Sequence, residues 1–262
     1  MSKTLDGRVA VVTGASAGIG LAVAEELVAS GARVVINARR AERLDELARR
    51  LGPGAAPVAG DCADEGVIAR MLDTAKQRFG AEVDLIVINA GRGLGGTAIT
   101  SDAGQWEDMI RTNFVAASRM IRAAGPRLLA MHGEVSHTGA GTGWLKRGRD
   151  LILVGSVVGR HVSPFSSFYS ATKAAVQSLA EGTRRELGPK GIRVTLIEPA
   201  FVTSEFQAVA GYKDEWYRQM VEKFGPMLEP GDVARLIRFV AEQPAHVHLS
   251  DGLIRPTRQE YP

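Results

Sequence analysis

Cysteine is nearly absent from this sequence. Cys62 is the single cysteine among 262 residues, so no internal disulfide can form, which is compatible with a reducing compartment. Aromatic residues make up only 6% of the chain, and no apolar run approaches the roughly 20 residues that a membrane-spanning helix needs. The first eight residues contain no apolar segment typical of a secretory signal. These shortages exclude disulfide-rich and membrane-spanning classes and predict a cytoplasmic protein.

Charge of one sign is also not in large excess. The chain has 32 basic and 29 acidic residues, a net charge of +3. Acids and bases alternate along the predicted helices, as in residues 41–50, which is typical of solvated helix faces rather than of a nucleic-acid footprint. No linker, repeat or composition shift divides the sequence. We therefore expect a single domain over residues 1–262.

Short apolar strands alternate with amphipathic helical segments. Strands are predicted at residues 8–13, 33–37, 57–60, 83–88, 151–154, 192–197 and 252–254. Continuous apolar runs that stop at glycine or small polar residues are typical of buried parallel strands. This alternation predicts an α/β fold of the Rossmann type, a doubly wound, mostly parallel seven-stranded sheet with helices on both faces.

The turn after the first strand contains three glycines, spaced Gly-x-x-x-Gly-x-Gly over residues 14–20. Such a turn lets the backbone approach a pyrophosphate at a helix N-terminus, where N–H groups and the helix dipole favour anions. The spacing differs from the Gly-x-Gly-x-x-Gly dinucleotide pattern, and a ligand-free tight turn is the alternative. The residues expected to bind the dinucleotide here are Gly14, Ser16, Ala17, Gly18, Ile19 and Gly20.

The second strand indicates which dinucleotide is bound. An NAD enzyme would place a carboxylate on the ribose 2′-hydroxyl near the end of this strand, but no acid occurs before Glu42. Arg39 and Arg40 occupy the junction instead, and guanidinium groups bind phosphate in a bidentate manner. The alternative is two solvated arginines at the start of a helix. The missing acid favours NADP(H), with Arg39, helped by Arg40, on the 2′-phosphate.

Ser156, Tyr169 and Lys173 form a candidate catalytic group. Ser156 ends the fifth strand, and Tyr169 and Lys173 lie four residues apart on one face of a helix predicted over residues 168–187. A phenol titrates near ~10 and needs about 4 kcal/mol of help to act as a base at neutral pH. A lysine at roughly 5 Å supplies on the order of 3 kcal/mol. Tyr169 could therefore exchange a proton with an alcohol oxygen that Ser156 also binds; an ordinary amphipathic helix is the alternative.

These motifs together resemble the short-chain dehydrogenase/reductase family over roughly residues 7–257. The matching pieces are residues 13–20, Asn89-Ala90-Gly91, Asn113, Ser156 and Tyr169-Ser170-Ala171-Thr172-Lys173. The spacing from Ser156 to Tyr169 is that of the family. The resemblance implies direct hydride transfer between nicotinamide C4 and a carbonyl carbon.

The resemblance also implies a role for each site residue. Tyr169 would be the acid/base, and Ser156 would orient and polarise the carbonyl. Lys173 would hold the nicotinamide ribose and lower the pKa of Tyr169, while Asn113, placed by a local break in its helix, would hold a water. The other implied cofactor contacts are Asp61 and Cys62 at the adenine, Asn89, Ala90 and Gly91 at the adenosine ribose, and Pro199, Val202 and Thr203 beside the nicotinamide amide.

The sequence departs from the family pattern in two places. Pro199-Ala200 stands where the family usually has Pro-Gly, which is tolerable if residue 200 needs no positive φ. An insertion at about residues 132–149 precedes the fifth strand, and we expect it at the sheet edge opposite the nicotinamide. It would be an interface or regulatory loop anchored by Trp144, or else a surface insertion. Its His132, Glu134 and His137 lack the His-Glu-x-x-His spacing, so no metal site is expected.

Residues 201–228 are rich in aromatic residues and methionine and predict a lid over the substrate. Such a lid would exclude water and contact an apolar or ring-containing substrate; an amphipathic helix on the sheet or an oligomer contact is the alternative. Arg92 could meet an acidic substrate. The residues expected to border the pocket are Arg92, Leu94, Val157, Val158, Phe201 and Phe206.

The leading hypothesis is an NADP(H)-dependent carbonyl reductase or alcohol dehydrogenase for a small organic or natural-product substrate. One alternative is a ketoreductase for carrier-bound acyl or polyketide chains. The other is a catalytically silent protein that senses NADP(H). Family analogy alone implies a homodimer or homotetramer.

Overall fold

The computed structural model describes residues 4–131, 135–137 and 143–261. Its strands are β1 (Val9–Thr13), β2 (Arg33–Ala38), β3 (Ala55–Ala59), β4 (Leu85–Ile88), β5 (Val135–His137), β6 (Gly143–Leu145), β7 (Asp150–Val154), β8 (Arg193–Pro199) and β9 (Asp251–Ile254). Its α-helices are α1 (Gly18–Ala29), α2 (Ala41–Leu51), α3 (Glu65–Phe79), α4 (Trp106–Ile110), α5 (Ala116–Ala130), α6 (Val157–Arg160), α7 (Ser167–Leu187), α8 (Phe206–Val209), α9 (Asp214–Phe224) and α10 (Pro230–Glu242). A π-helical turn, Arg111–Val115, joins α4 to α5, and 3₁₀ turns span Gly52–Gly54, Ala103–Gln105 and Gly188–Lys190.

Seven strands form one sheet in the order β3-β2-β1-β4-β7-β8-β9. Every pairing in it is parallel, which confirms the predicted Rossmann-type sheet. The chain runs outward from β1 to β3 and then returns to β4 on the other side of β1. This reversal opens a crevice at the carboxyl ends of β1 and β4, where open α/β sheets bind ligands.

Helices cover both faces of the sheet, so each face has its own apolar core. Val9 and Val11 of β1 pack in the core beneath α3, α5 and α7. Ala10 and Val12 point the other way, into the core formed with α1, α2 and α10. Alternate strand residues face opposite sides, and a strand buried on both sides must be apolar throughout. No helix in the described part of the chain is long and apolar enough to cross a membrane.

A buried ionic network joins the amino ends of the central strands. Arg8 Nε donates to Asp84 Oδ1 at 2.8 Å, and Arg8 Nη2 donates to Asp150 Oδ2 at 2.7 Å. Arg193 meets the same Asp150 carboxylate with two nitrogens, at 2.6 and 2.9 Å. All four side chains are almost fully buried. Sequence reasoning missed this network, which cross-links β1, β7 and β8 to the residue preceding β4.

The described part of the insertion lies at the same amino edge. β5 and β6 pair as an antiparallel ladder. After it, Arg147 Nη1 donates to the Gly7 carbonyl at 2.7 Å, and Arg149 Nη2 donates to the Lys190 carbonyl at 3.0 Å. These contacts place residues 147–149 away from the carboxyl-end crevice. His132 and Glu134 lie outside the described residues, and the role of the insertion stays a prediction.

Candidate active site

One large cleft, of about 1290 Å³, opens at the carboxyl ends of the central strands. It extends from the β1–α1 turn and the end of β2 to Tyr169 and the residues that follow β8. The predicted site residues that line it are Gly14, Ser16, Ala17, Gly18, Ile19, Arg39, Arg40, Asp61, Cys62, Asn89, Ala90, Gly91, Arg92, Leu94, Ser156, Val157, Val158, Tyr169, Lys173, Pro199, Phe201, Val202 and Phe206. Three predicted site residues, Gly20, Asn113 and Thr203, are not part of its lining. The fold therefore brings most of the predicted cofactor, catalytic and substrate residues into one cleft.

The glycine turn at the start of α1 needs its glycines. Gly14 has φ +70° and Gly18 has φ +54°, a region that residues with a Cβ rarely adopt. A Cβ on Gly20 would lie 2.3 Å from the Gly14 carbonyl oxygen, so Gly20 permits close packing inside the turn and lies behind the lining. Ala17 precedes α1 and offers no side-chain cap, which leaves the first N–H groups of a twelve-residue helix for an anion. This cradle fits a pyrophosphate.

Two arginines at the end of β2 differ in their partners. Arg40 donates from Nε and Nη2 to Ser16 Oγ at 3.2 and 3.0 Å. Its Nη1 also forms a salt bridge with Glu205 at 3.0 Å. Arg39 is exposed and makes no hydrogen bond or salt bridge with any other residue that the structure describes. The cleft therefore presents one guanidinium held beside the glycine turn and one that is unengaged, an arrangement that fits a further phosphate.

The predicted adenine-contacting residues follow β3. Asp61 Oδ1 accepts from Ala63 N at 2.9 Å, and its Oδ2 accepts from Arg111 Nη2 at 2.8 Å. Burial raises the pKa of Asp61, but these two hydrogen bonds, together with the charges of Arg111 and Arg39, outweigh burial and leave the pKa below its ordinary value. Burial raises the pKa of the neighbouring Cys62 thiol to about 11. Asp61 is thus an ionised, partly occupied acceptor, and Cys62 is an unreactive apolar wall.

Ser156, Tyr169 and Lys173 meet at the other end of the cleft. Ser156 begins α6 as its N-cap; its Oγ accepts from Val158 N and donates to the Pro199 carbonyl, both at 3.4 Å. Tyr169 is 7% exposed and Lys173 is 5% exposed. Lys173 Nζ donates to the Val154 carbonyl at 2.9 Å and lies 5.9 Å from the centre of the Tyr169 ring.

The described residues do not lower the pKa of Tyr169, contrary to the effect expected of Lys173. Burial is the largest influence and raises the pKa of Tyr169; Tyr212 also raises it, and the Ser156 hydrogen bond only partly offsets them. Burial also lowers the pKa of Lys173, to about 8. The ammonium is directed to the Val154 carbonyl rather than to the phenol oxygen. At neutral pH this protein matrix therefore keeps Tyr169 a neutral phenol and Lys173 mainly protonated.

Asn113 is buried behind the cleft, at the centre of the π-helical turn Arg111–Val115. Its Oδ1 accepts from Arg92 N at 2.8 Å, and its Nδ2 donates to Arg92 O and to Thr172 Oγ1, both at 3.0 Å. Both amide hydrogens are therefore used within the protein, and only Oδ1 keeps acceptor capacity for a water. The helix break turns the Asn113 side chain toward the segment after β4 and toward α7, which carries Tyr169 and Lys173.

Aromatic rings from residues 201–228 close over the catalytic end. The Phe206 ring lies 5.6 Å from the Tyr169 ring, centre to centre. Trp216 contacts Phe201 at 5.8 Å and Tyr212 at 5.0 Å. All of these side chains line the cleft. The substrate end is thus bounded by an aromatic wall formed by the segment that includes α8 and α9.

The Arg92 guanidinium does not stand free in this pocket. It forms a salt bridge with Asp108 and a hydrogen bond with Gln105 Oε1. A neighbouring carboxylate already balances its charge, so the structure gives no support to the expectation that Arg92 meets an acidic substrate. Ala200, in place of the family's glycine, has no positive φ, and its methyl group is accommodated without strain.

Sequence reasoning missed two contributors to the cleft. Glu205 reaches Arg40 from the lid. Gln259, near the carboxyl terminus, accepts from Phe201 N at 3.3 Å and lines the cleft. A lone acid or amide in a loop gives no sequence signal, because its partner is far away along the chain. Among the described residues, no cluster of three or more His, Cys, Asp or Glu side chains could hold a metal ion.

Comparisons with known proteins cover nearly the whole chain. A sequence profile for short chain dehydrogenase matches residues 8–214. An uncharacterized oxidoreductase of Staphylococcus saprophyticus is 32% identical over 256 residues, which cover 96% of this chain and 98% of that protein. A closed form of serine dehydrogenase complexed with NADP⁺ is 29% identical, with a TM-score of 0.82, and the match covers 97% of this chain and 96% of that chain. Serine dehydrogenase from Escherichia coli is 28% identical, with a TM-score of 0.76, and the match covers 97% and 100% of the two chains.

Proposed function

This chain belongs to the short-chain dehydrogenase/reductase family and is an oxidoreductase, and from that premise we propose that it uses NADP(H) to interconvert a carbonyl and an alcohol on a small organic substrate. One observation carries the proposal. Ser156 and the buried side chains of Tyr169 and Lys173 line one end of a cleft whose other end holds the glycine turn and two arginines. Proton transfer and dinucleotide binding thus share one continuous space.

The side chains divide the chemistry between them. Bound NADP(H) supplies or accepts the hydride. In the reductive direction Tyr169 gives its hydroxyl proton to the substrate oxygen, and Ser156 hydrogen-bonds the same oxygen. The Lys173 ammonium provides positive charge 5.9 Å from the tyrosine ring, which favours the phenolate left behind. Asn113 is a positioning residue, since it fixes the Arg92 backbone and Thr172.

The preference for NADP(H) rests on the end of β2. Asn37, where a carboxylate could have stood, is buried and donates to the Val58 and Gly60 carbonyls at 2.9 and 3.2 Å. Arg39 and Arg40 place two positive charges at this junction; Glu205 forms a salt bridge with Arg40, whereas Arg39 forms none with the described residues. The likeness to a serine dehydrogenase that binds NADP⁺ supports this cofactor. The remaining proposed cofactor contacts are Gly14, Ser16, Ala17, Gly18, Ile19, Gly20, Asp61, Cys62, Asn89, Ala90, Gly91, Pro199, Val202 and Thr203.

The lining of the substrate end favours an apolar, ring-containing carbonyl compound. Aromatic side chains dominate this wall, and the charge of Arg92 is balanced by Asp108. A carrier-bound substrate would need a basic entrance for an acidic carrier protein. Arg147 and Arg149 bond to main-chain carbonyls at the opposite edge of the sheet, so they provide no such entrance.

The experiment is NADPH oxidation against a panel of aldehydes and ketones, followed for the wild type, Tyr169→Phe and Ser30→Ala. Removing the acid should lower kcat/KM about 10²–10⁴-fold for Tyr169→Phe. Ser30→Ala is the control, because it also removes one hydroxyl, which bonds the Glu26 carbonyl after α1 and lies outside the cleft lining. Equal turnover by wild type and Tyr169→Phe would contradict the assignment. Tight NADPH binding without turnover of any carbonyl or alcohol would favour the cofactor-sensing alternative.

A further inference from the structure

We propose that Glu205 is a built-in competitor for the cofactor's 2′-phosphate and limits how strongly the protein prefers NADP(H) over NAD(H). Its carboxylate occupies Arg40 and Arg43, beside the place where that phosphate would bind. This inference rests on the proposed NADP(H) dependence. It assigns a specificity role to a lid residue that no sequence motif indicates.

Glu205 bridges the two arginines as a phosphate would. Its Oε2 accepts from Arg40 Nη1 at 3.0 Å, and its Oε1 accepts from Arg43 Nη1 at 2.7 Å. The bonds to Arg43 and Arg40 hold the pKa of Glu205 below its ordinary value, so the group carries a full negative charge at neutral pH. Arg40 directs its other two donors to Ser16 Oγ. All of its hydrogen-bonding nitrogens thus have partners before any phosphate arrives.

The position of Glu205 makes it a competitor rather than a distant counter-ion. Ser16, Arg39, Arg40 and Glu205 all line the cleft, and Arg43 does not. A phosphate that binds between Arg39 and Arg40 must therefore share Arg40 with a carboxylate of the same sign. NAD(H) has a hydroxyl in place of that phosphate and meets no such repulsion.

The same residue connects the phosphate end of the cleft to its catalytic end. Glu205 directly precedes Phe206, whose ring packs on Tyr169. The backbone here is held locally: Gln207 Nε2 donates to the Val202 carbonyl at 2.6 Å, and Phe206 N donates to Ser204 Oγ at 3.2 Å. The segment that carries the proposed competitor therefore also carries the ring that covers Tyr169.

The test is fluorescence titration of NADPH and NADH into wild type, Glu205→Gln and Glu222→Gln. The side chains of Arg40 and Glu205 are 45% and 52% exposed. Because solvent screens such surface charges, we expect the Kd for NADPH to change by only about threefold. Glu205→Gln should lower the Kd for NADPH about threefold, and added salt should reduce this gain. The Kd for NADH should not fall. Glu222→Gln removes an exposed carboxylate of the same lid that forms no salt bridge with the described residues, and should leave the ratio of the two Kd values unchanged.

A second variant makes the inference independent of one substitution. In Arg43→Gln, Glu205 keeps its bond to Arg40 and loses its bond to Arg43. Its carboxylate should then compete more strongly for Arg40, so NADPH should bind more weakly in this variant and NADH should not. In the Glu205→Gln background the same change should have no such effect, a coupling that a double-mutant cycle measures. The inference is overturned if Glu205→Gln weakens NADPH binding, changes both cofactors equally or leaves the ratio unchanged while the wild type prefers NADPH. A folded wild type that binds neither dinucleotide contradicts the proposed function itself.

Discussion

Replacing Lys173 with methionine measures what the buried ammonium does to stability. The side chain is 5% exposed, and burial lowers its pKa from 10.5 to about 8. At 1.36 kcal/mol per pKa unit, keeping this group protonated at neutral pH costs about 3 kcal/mol. Removing it also leaves the Val154 carbonyl without its donor, a loss of about 1 kcal/mol. We therefore expect Lys173→Met to be more stable than the wild type by about 2 kcal/mol at pH 7, while losing activity.

The pH dependence of this gain gives the sharper readout. Because the folded pKa of Lys173 lies below the unfolded one, the unfolded chain binds more protons between pH 8 and 10.5, and the wild type gains stability as pH rises through this window. Urea denaturation should show the advantage of Lys173→Met shrinking from pH 7 to pH 10. Replacing exposed Lys190 with methionine is the control, expected within about 0.5 kcal/mol of wild type. A Lys173→Met variant that is less stable at pH 7, or a gap independent of pH, would refute this reasoning.

Three further substitutions test other parts of the structure. Gly20→Ala places a Cβ 2.3 Å from the Gly14 carbonyl oxygen and should weaken NADPH binding at least tenfold in a fluorescence titration, through distortion of the phosphate turn. Asp150→Asn weakens the buried network at the amino edge and should cost about 3 kcal/mol in urea denaturation, with little change in the Kd for NADPH of the remaining folded protein. Arg39→Asp should raise the Kd for NADPH far more than that for NADH; equal losses would remove Arg39 from the phosphate site.

The strands were predictable because their patterns are local. β7 and β8 are buried on both sheet faces, and their predicted and observed ends differ by at most two residues. β3 was displaced: it spans Ala55–Ala59 rather than 57–60. Two alanines, which have low strand propensity, open it. Pro57 is tolerated because β3 is an edge strand.

The site was predictable as a set of positions and not as a set of contacts. Motif spacing indicated which residues would meet at the carboxyl ends of the strands. Motif spacing did not show that the Asn113 amide would hydrogen-bond Arg92 and Thr172. Nor did it show that the Lys173 ammonium would donate to the Val154 carbonyl. Those partners come from distant segments and depend on side-chain direction, which the order of residues along the chain does not encode.

We propose that Tyr169 ionises for catalysis only with the dinucleotide in place, because burial raises its pKa in the protein alone. Ultraviolet difference titration of wild type against Tyr169→Phe, with and without NADP⁺, measures the phenolate directly. We expect a tyrosinate signal that titrates below the ordinary tyrosine pKa with NADP⁺ present, is lost in Tyr169→Phe, and moves above pH 10 when NADP⁺ is omitted. A Tyr169 signal that titrates at the same pH with and without NADP⁺ would contradict it.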